Sequence, residues 1–195
     1  ISLCYAQVNA MSVSFSGELA YELHIPNAQL YLVWQLLQSA GQTFHLSKFG
    51  LYATESMRLE KGYLHWKAEI IDEFNPIEAG LDRFVKLDKP DFIGKQALLA
   101  DLESGPRQRL VTLEVSCDFA AAHGGDPVIH HGQQVGVVTS GGYGHRVAKN
   151  LAYAYVDAAV AIIGGHFKVS IIGQVCDAMV VEPCLYDPAN LKPRS

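Results

Sequence analysis

Charge is scarce in this 195-residue chain, and the little there is excludes several classes of partner. Asp, Glu, Lys and Arg together make up 18% of the residues, against about 25% in an average globular domain. The 15 basic residues are outnumbered by 20 acidic ones, for a net charge of -5. Nucleic-acid binding needs basic residues clustered on one face, so no such partner is expected. Cysteine is sparse too. Cys4, Cys117, Cys176 and Cys184 are scattered with no C-x-x-C pair, which argues against a disulfide framework and for reduced thiols. Long apolar runs are missing: the longest near-apolar stretch, 158–165, ends in two glycines and falls far short of the roughly 20 residues a bilayer helix needs. The chain begins with Ile1, and residues 1–10 lack the basic start and apolar stretch of a signal peptide. These features predict a soluble protein with no membrane partner, cytoplasmic or, in a eukaryote, of the mitochondrial matrix, and a fragment or processed piece of a longer chain.

The common catalytic signatures are absent as well. There is no P-loop, no H-E-x-x-H and no G-x-S-x-G. The glycine-rich Gly141-Gly142-Tyr143-Gly144 lies between predicted strands with no helix behind it, so a dinucleotide would find no helix N-terminus for its pyrophosphate. His130 and His131 are adjacent, without the H-x-x-x-H spacing that lets two imidazoles reach one ion. No metal site is expected, and these histidines read as solvated loop residues.

What the chain does have is apolar material, 49% of residues, enough for a real core. Alternation of Met11, Val13 and Phe15, then of Tyr21, Leu23 and Ile25, predicts two strands over 10–25 joined through Gly17-Glu18-Leu19-Ala20. A helix is expected from an Asn27 N-cap to a left-handed Gly41, with Leu30, Val33, Trp34 and Leu37 as a buried stripe. A second runs from Leu51 to Lys61 and stops at Gly62. A short strand is expected over 84–87, and a third helix from an Asp91 cap to Leu102, ending at Gly105-Pro106. Beyond that point only short strands follow, separated by glycine-rich turns, which predicts a closed or sandwiched β domain. The fold class is therefore α+β, with residues 1–105 forming an α+β part and 106–195 an all-β barrel and tail.

Two places could carry function. Glu18 sits at the hairpin tip, where strands can hold a carboxylate toward a ligand, although an exposed loop carboxylate is more often simply solvated. The segment from Arg58 to Trp66 combines charge with aromatic rings, which suits a flat heteroaromatic ligand. Its alternative reading puts Tyr63 and Trp66 in the core and leaves Arg58 and Glu60 solvated.

Four motifs occur in order: Gly17-Glu18-Leu19-Ala20-Tyr21-Glu22-Leu23, Met57-Arg58-Leu59-Glu60-Lys61-Gly62-Tyr63, Asn75-Pro76-Ile77-Glu78-Ala79-Gly80-Leu81 and Lys86-Leu87-Asp88-Lys89-Pro90-Asp91-Phe92-Ile93-Gly94-Lys95. With Val137-Val138-Thr139-Ser140-Gly141-Gly142-Tyr143-Gly144 and the closing Glu182-Pro183-Cys184-Leu185-Tyr186-Asp187-Pro188, they resemble the glycine-cleavage T-protein family of aminomethyltransferases over nearly the whole chain. Phe49-Gly50-Leu51-Tyr52-Ala53, Trp66 and Tyr186-Asp187-Pro188 look most like the tetrahydrofolate module fused behind the flavin domain of dimethylglycine and sarcosine dehydrogenases, and Thr54 replaces an Arg common in plain T-proteins.

The resemblance implies a three-part cloverleaf with tetrahydrofolate in its central channel, the α+β part here being ferredoxin-like. It implies that Glu18 binds the amino-pyrimidine edge of the pterin, that Tyr186 lies near the folate, and that Arg58 and Trp66 lie near the channel. The implied role is capture of one-carbon units from oxidation of an N-methyl amine, as methylene-tetrahydrofolate. Ala20 departs from the family's usual Gly and is expected to tighten the loop behind Glu18. The family's catalytic aspartate lies in an N-terminal region not matched here, and FAD would belong to a missing N-terminal domain of the parent. No catalytic residue is therefore assigned, and the chain alone is expected to be silent, with folate, a small amine-derived substrate and the rest of the parent chain as partners. The alternatives are a truncated free-standing T-protein-like aminomethyltransferase, a folate-binding regulatory protein without transferase activity, and a β-barrel interaction domain without a ligand.

Overall fold

The computed structural model describes residues 1–3 and 5–194, so Cys4, read above as a reduced thiol, lies outside the described residues. In the first part the strands form two separate two-stranded antiparallel sheets. Strand β1 (Ser2–Leu3) pairs with β2 (Ala6–Gln7), and β3 (Asn9–Met11) pairs with β4 (Glu22–His24). The expected hairpin is there, but its ladder stops at the Met11–Glu22 pair and Val13 and Phe15 do not join it. The reason is local. The N–H of Val13 bonds back to the Met11 carbonyl, and the hydroxyls of Ser14 and Ser16 accept from Gly17 and Glu18, so side chains supply the partners a ladder would have used.

Helix α1 (Leu30–Gly41) follows a 3-10 turn (Asn27–Gln29), and Asn27 makes no side-chain cap, contrary to expectation. Gly41 is not left-handed either. Its φ is -73°, the chain continues into another 3-10 turn, and the left-handed residue is His45. Glycine is required at 41 because Leu46 folds back onto it, within 2.6 Å of where a Cβ would stand. Of the expected apolar stripe only Val33 is buried, in a small cluster with Ala6 and Val8. Leu30 and Trp34 remain 52% and 45% exposed.

Helix α2 (Leu51–Lys61) ends as expected at Gly62, with φ 77°. The strand expected over 84–87 is instead a 3-10 turn (Asp82–Phe84), closed by bonds from Phe84 to Leu81 and from Val85 to Asp82. Helix α3 (Lys95–Ser104) starts after Gly94, and Asp91 accepts only from the N–H of Phe92 instead of capping it.

Strands β5 (Gln108–Ser116), β6 (Pro127–His130), β7 (Gln133–Gly144), β8 (Lys149–Asp157), β9 (His166–Ile171) and β10 (Gln174–Val181) close into a six-stranded antiparallel barrel in the order β10-β5-β8-β7-β6-β9. Closure leaves no edge open to pairing. Val111, Leu113, Val138, Ala154, Val169 and Val180 are among the residues filling it. Strand β8 is buried on both faces from Leu151 to Val156, because the first part of the chain covers its outside. Tyr153 donates to the Leu59 carbonyl (2.8 Å), Tyr155 donates to the Glu69 carbonyl (2.9 Å), and the Tyr155 ring stacks on Phe74. Burial pushes both phenols above the usual tyrosine range.

Candidate functional site

Helix α2 lies against β7, and the glycine-rich run of that strand gives it room. A Cβ on Gly144 would fall 2.8 Å from Cγ of Glu60, and one on Gly142 would fall 3.0 Å from the Leu59 side chain. Gly142 and Gly144 therefore serve helix packing, while Gly141 makes room for the Ala122 backbone. At the end of α2, Glu60 is completely buried. One of its oxygens accepts the backbone N–H of Arg146 (2.5 Å) and of Val147 (3.1 Å), and the other accepts from Nε of Arg146. The Arg146 guanidinium then donates through Nη2 to the Met57 carbonyl (2.7 Å) and through Nη1 to Oε1 of Glu18 (2.9 Å). A turn of the barrel thus reaches the hairpin loop of the first part.

The C-terminal tail closes the third side. Leu185 and Tyr186 donate their backbone N–H groups to the Glu60 carbonyl, the Arg146 guanidinium lies 3.7 Å from the centre of the Tyr186 ring, and the Tyr186 hydroxyl donates to Oε1 of Glu18 (2.5 Å). Below them Lys61 bonds both the Asp187 carbonyl (2.7 Å) and its carboxylate (2.8 Å). Gly17, with φ 80°, lies on the stem of Lys61, where a Cβ would come within 2.8 Å. Both the backbone conformation and the space demand glycine before Glu18.

Glu18 is consequently not the freely solvated carboxylate its loop position predicted, although its side chain keeps 42% exposure. The Tyr186 hydrogen bond is the largest influence and holds it below the usual carboxylate range, with burial opposing and Arg146 and Lys192 adding to the lowering. The same bond raises the Tyr186 phenol. Hydrogen bonding to Lys61 and to the N–H groups of Leu191 and Lys192 takes Asp187 down to about 2. A carboxylate fixed in its charged form, with part of its surface open, can accept hydrogen bonds from a donor-rich ligand.

Of the four residues expected at a site, Glu18 and Tyr186 meet; Arg58 and Trp66 do not join them. Arg58 is 1% exposed. Its guanidinium binds Glu55 (2.8 Å), Glu69 (2.9 Å) and the Tyr63 carbonyl (3.2 Å), and packs on the Tyr153 ring. Glu69, also buried, takes further bonds from the His65 N–H, Thr139 and Ser140. Trp66 is 67% exposed. The alternative reading is reversed for Arg58 and Glu60, which are interior, and for Trp66, which is outside, while Tyr63 is half-buried. Arg146 had no motif to announce it; only its reach of 128 residues back to Glu18 gives it a role. His130 bonds the His166 carbonyl through Nδ1, and among the described residues no group of side chains could hold a metal ion.

Two models of one family match in succession: the GCVT N-terminal domain over residues 1–89 and the glycine cleavage T-protein C-terminal barrel domain over 108–187. The chain belongs to the glycine-cleavage T-protein family. Among relatives of this family member, mitochondrial dimethylglycine dehydrogenase of Mus musculus is 38% identical over 95% of the chain and 22% of its own length. An aminomethyltransferase of Caldanaerobacter subterraneus subsp. tengcongensis is 34% identical over 88% of the chain and 46% of its own length. The crystal structure of the glycine cleavage system aminomethyltransferase T from Bartonella henselae superposes with a TM-score of 0.81 at 26% identity, over 92% of this chain and 50% of that one. The chain thus spans a fifth to a half of the length of these relatives. The mixed α and β architecture with its closed barrel is the T-protein fold. No helix among the described residues is long and apolar enough to cross a membrane.

Proposed function

We propose that this chain is the tetrahydrofolate-binding C-terminal portion of an aminomethyltransferase module, of the kind that captures one-carbon units from oxidation of dimethylglycine-like or sarcosine-like N-methyl amines. The observation that carries the reading is the Glu18 carboxylate, held ionised by Tyr186 and Arg146 while partly open to solvent. The amino-pyrimidine edge of a pterin offers adjacent N–H donors, and a charged acceptor with free lone pairs fits them. When bound, tetrahydrofolate would supply the nucleophilic nitrogen that takes up the one-carbon unit as methylene-tetrahydrofolate. The residues of this chain bind and orient it: Glu18 accepts from the pterin, Arg146 and Tyr186 fix Glu18, and Lys61 with Asp187 fixes the tail that carries Tyr186. The resemblance to dimethylglycine dehydrogenase favours an N-methyl amine as the source of the unit, with flavin on another part of the parent. Arg58 and Trp66 are not included in the proposed folate contacts, because Arg58 is committed to Glu55 and Glu69 and Trp66 lies apart. The division into residues 1–105 and 106–195 is proposed on the same basis.

Ligand-dependent melting tests this. Tetrahydrofolate at 100 times its dissociation constant should stabilise the fold by about 2.7 kcal/mol, a shift of roughly 5–10 °C for a domain of this size. Glu18→Gln replaces an acceptor oxygen by a donor and should lower affinity by about 30-fold to 150-fold. Equal shifts for wild type and Glu18→Gln at the same concentrations would remove the assignment.

A further inference from the structure

Two cysteines meet at the seam where the first strand of the barrel lies beside the last. Strand β10 pairs antiparallel with β5, and one end of that ladder is Ala178 with Val115, then Asp177 with Ser116. One step further in the same register, Cys176 stands opposite Cys117. Successive side chains of a strand point to opposite faces, and Val115 and Ala178 belong to the barrel core, so the two cysteines share that inner face. Cys176 is in the core and Cys117 packs against it, half-buried. The ladder stops here because the Cys117 N–H bonds back to the Val115 carbonyl, which leaves Cys117 at the open end of the seam. Asn150 holds its carbonyl there (3.2 Å). Burial, and then the adjoining Cys117 thiol, push the Cys176 thiol up to about 11. Both thiols are free. A disulfide joins Cα atoms roughly 4.4–6.8 Å apart, and neighbouring strands about 4.7–4.9 Å apart meet that condition.

We infer that Cys117 and Cys176 are an oxidation site, at which hydrogen peroxide converts the two thiols to a disulfide that ties the first barrel strand to the last. Cys117 is the sulfur a small oxidant meets, since Cys176 is inside. Its thiolate attacks one peroxide oxygen, the O–O bond breaks, and Cys117 becomes a sulfenic acid with release of one water. The Cys176 sulfur then attacks the Cys117 sulfur: the S–S bond forms, the S–O bond breaks, and the hydroxide leaves with the Cys176 proton as a second water. Two electrons pass from the sulfurs to the peroxide, so two thiols and one hydrogen peroxide give one disulfide and two waters. The second step is the slower, because a thiol raised so far is seldom ionised. The bond encloses residues 117–176, which contain β6, β7, β8 and β9. A cross-link across so long a segment restricts the unfolded chain, so the oxidised barrel is harder to unfold.

Treatment of this chain with hydrogen peroxide, followed by alkylation under denaturing conditions and peptide mapping, tests the inference. The expected product is a Cys117–Cys176 cross-linked peptide with Cys4 and Cys184 alkylated. The melting temperature should rise by roughly 5–15 °C and return to its starting value on reduction with a dithiol. Cys117→Ser should abolish the cross-link and the rise, while the reduced variant melts within about 2 °C of wild type. Recovery of Cys117 as a sulfinic acid with Cys176 still alkylated would overturn the inference, and so would a disulfide drawn from Cys4 or Cys184. A Cys117–Cys176 cross-link without a rise in melting temperature would remove its role in tying the strands. The same rise in Cys117→Ser would show that the stabilisation comes from elsewhere, and the inference would fall.

Discussion

Glu60 of α2 and Arg146 of the barrel are bonded twice, through the Arg146 backbone N–H and through its Nε, and the adjoining Val147 N–H donates to Glu60 as well. A carboxylate with no exposure has no water to fall back on, so the pair ties the two parts of the molecule together at the point from which Arg146 reaches Glu18. Glu60→Ala should therefore cost about 3–5 kcal/mol, the penalty for stranding a buried charge, as read from urea unfolding. A loss below about 1 kcal/mol would show that the helix and the barrel do not depend on this contact.

Trp34 should matter less than an aromatic on a helix stripe normally does. It borders an open apolar groove with Leu37, Phe44, Leu46 and Phe49, and Lys48 lies over its ring. Trp34→Ala should cost about 1 kcal/mol, near the range of surface changes, whereas truncating the buried Val33 to Ala should cost about 2 kcal/mol. Chemical denaturation of the two variants gives the ranking, and the reverse order would mean that the groove is closed in solution.

Asp187 predicts the acid leg of the stability curve. Its folded value of about 2 lies below the ordinary 3.8. The stabilisation from the Lys61 bond is therefore fully present above pH 3.8 and is lost as pH falls from there through 2. Glu18, also lowered, acts in the same direction. Asp187→Asn should flatten the fall of melting temperature across that window; an unchanged slope would place the acid sensitivity elsewhere.

Limited proteolysis should cut first at 103–107, where Glu103, Ser104, Gly105 and Arg107 are exposed between α3 and β5. The small residues at 120–125 look equally open in sequence, but Ala122 is completely buried and Asn150 holds the carbonyls of Cys117 and Ala120. Mass spectrometry of early fragments separates these sites, and a first cut at 120–125 would contradict the packing.

Elements whose cause is local were legible. Helix α2 combines strong helix formers with a glycine stop, and it begins and ends where the sequence put it. The barrel strands announced themselves by alternation and glycine turns, although the four-residue β6 was too short to show. Elements whose cause is distant were not legible. Asn27 and Asp91 are good caps in isolation that the chain does not use, and Gly41 was read as a stop when Leu46 needed the space. At the site, motif resemblance found Glu18 and Tyr186. It could not show that Arg58 belongs to an interior ion-pair network with Glu69, or that Arg146 joins the other two, since each pairing depends on how helix and barrel pack.

The bond between Tyr186 and Glu18 spans 168 residues, and that separation sets a clock. A chain made N-terminus first at about 5–20 residues per second has its hairpin loop outside the ribosome for on the order of ten to thirty seconds before the tail that must meet it exists. Through nearly all of that interval the barrel stays open, because its closing strand β10 ends at Val181, and Glu18 lacks its tyrosine. A ligand pocket of this build comes into being only when synthesis has reached the last strands and the tail beyond them, so premature termination yields folded parts without a finished binding surface.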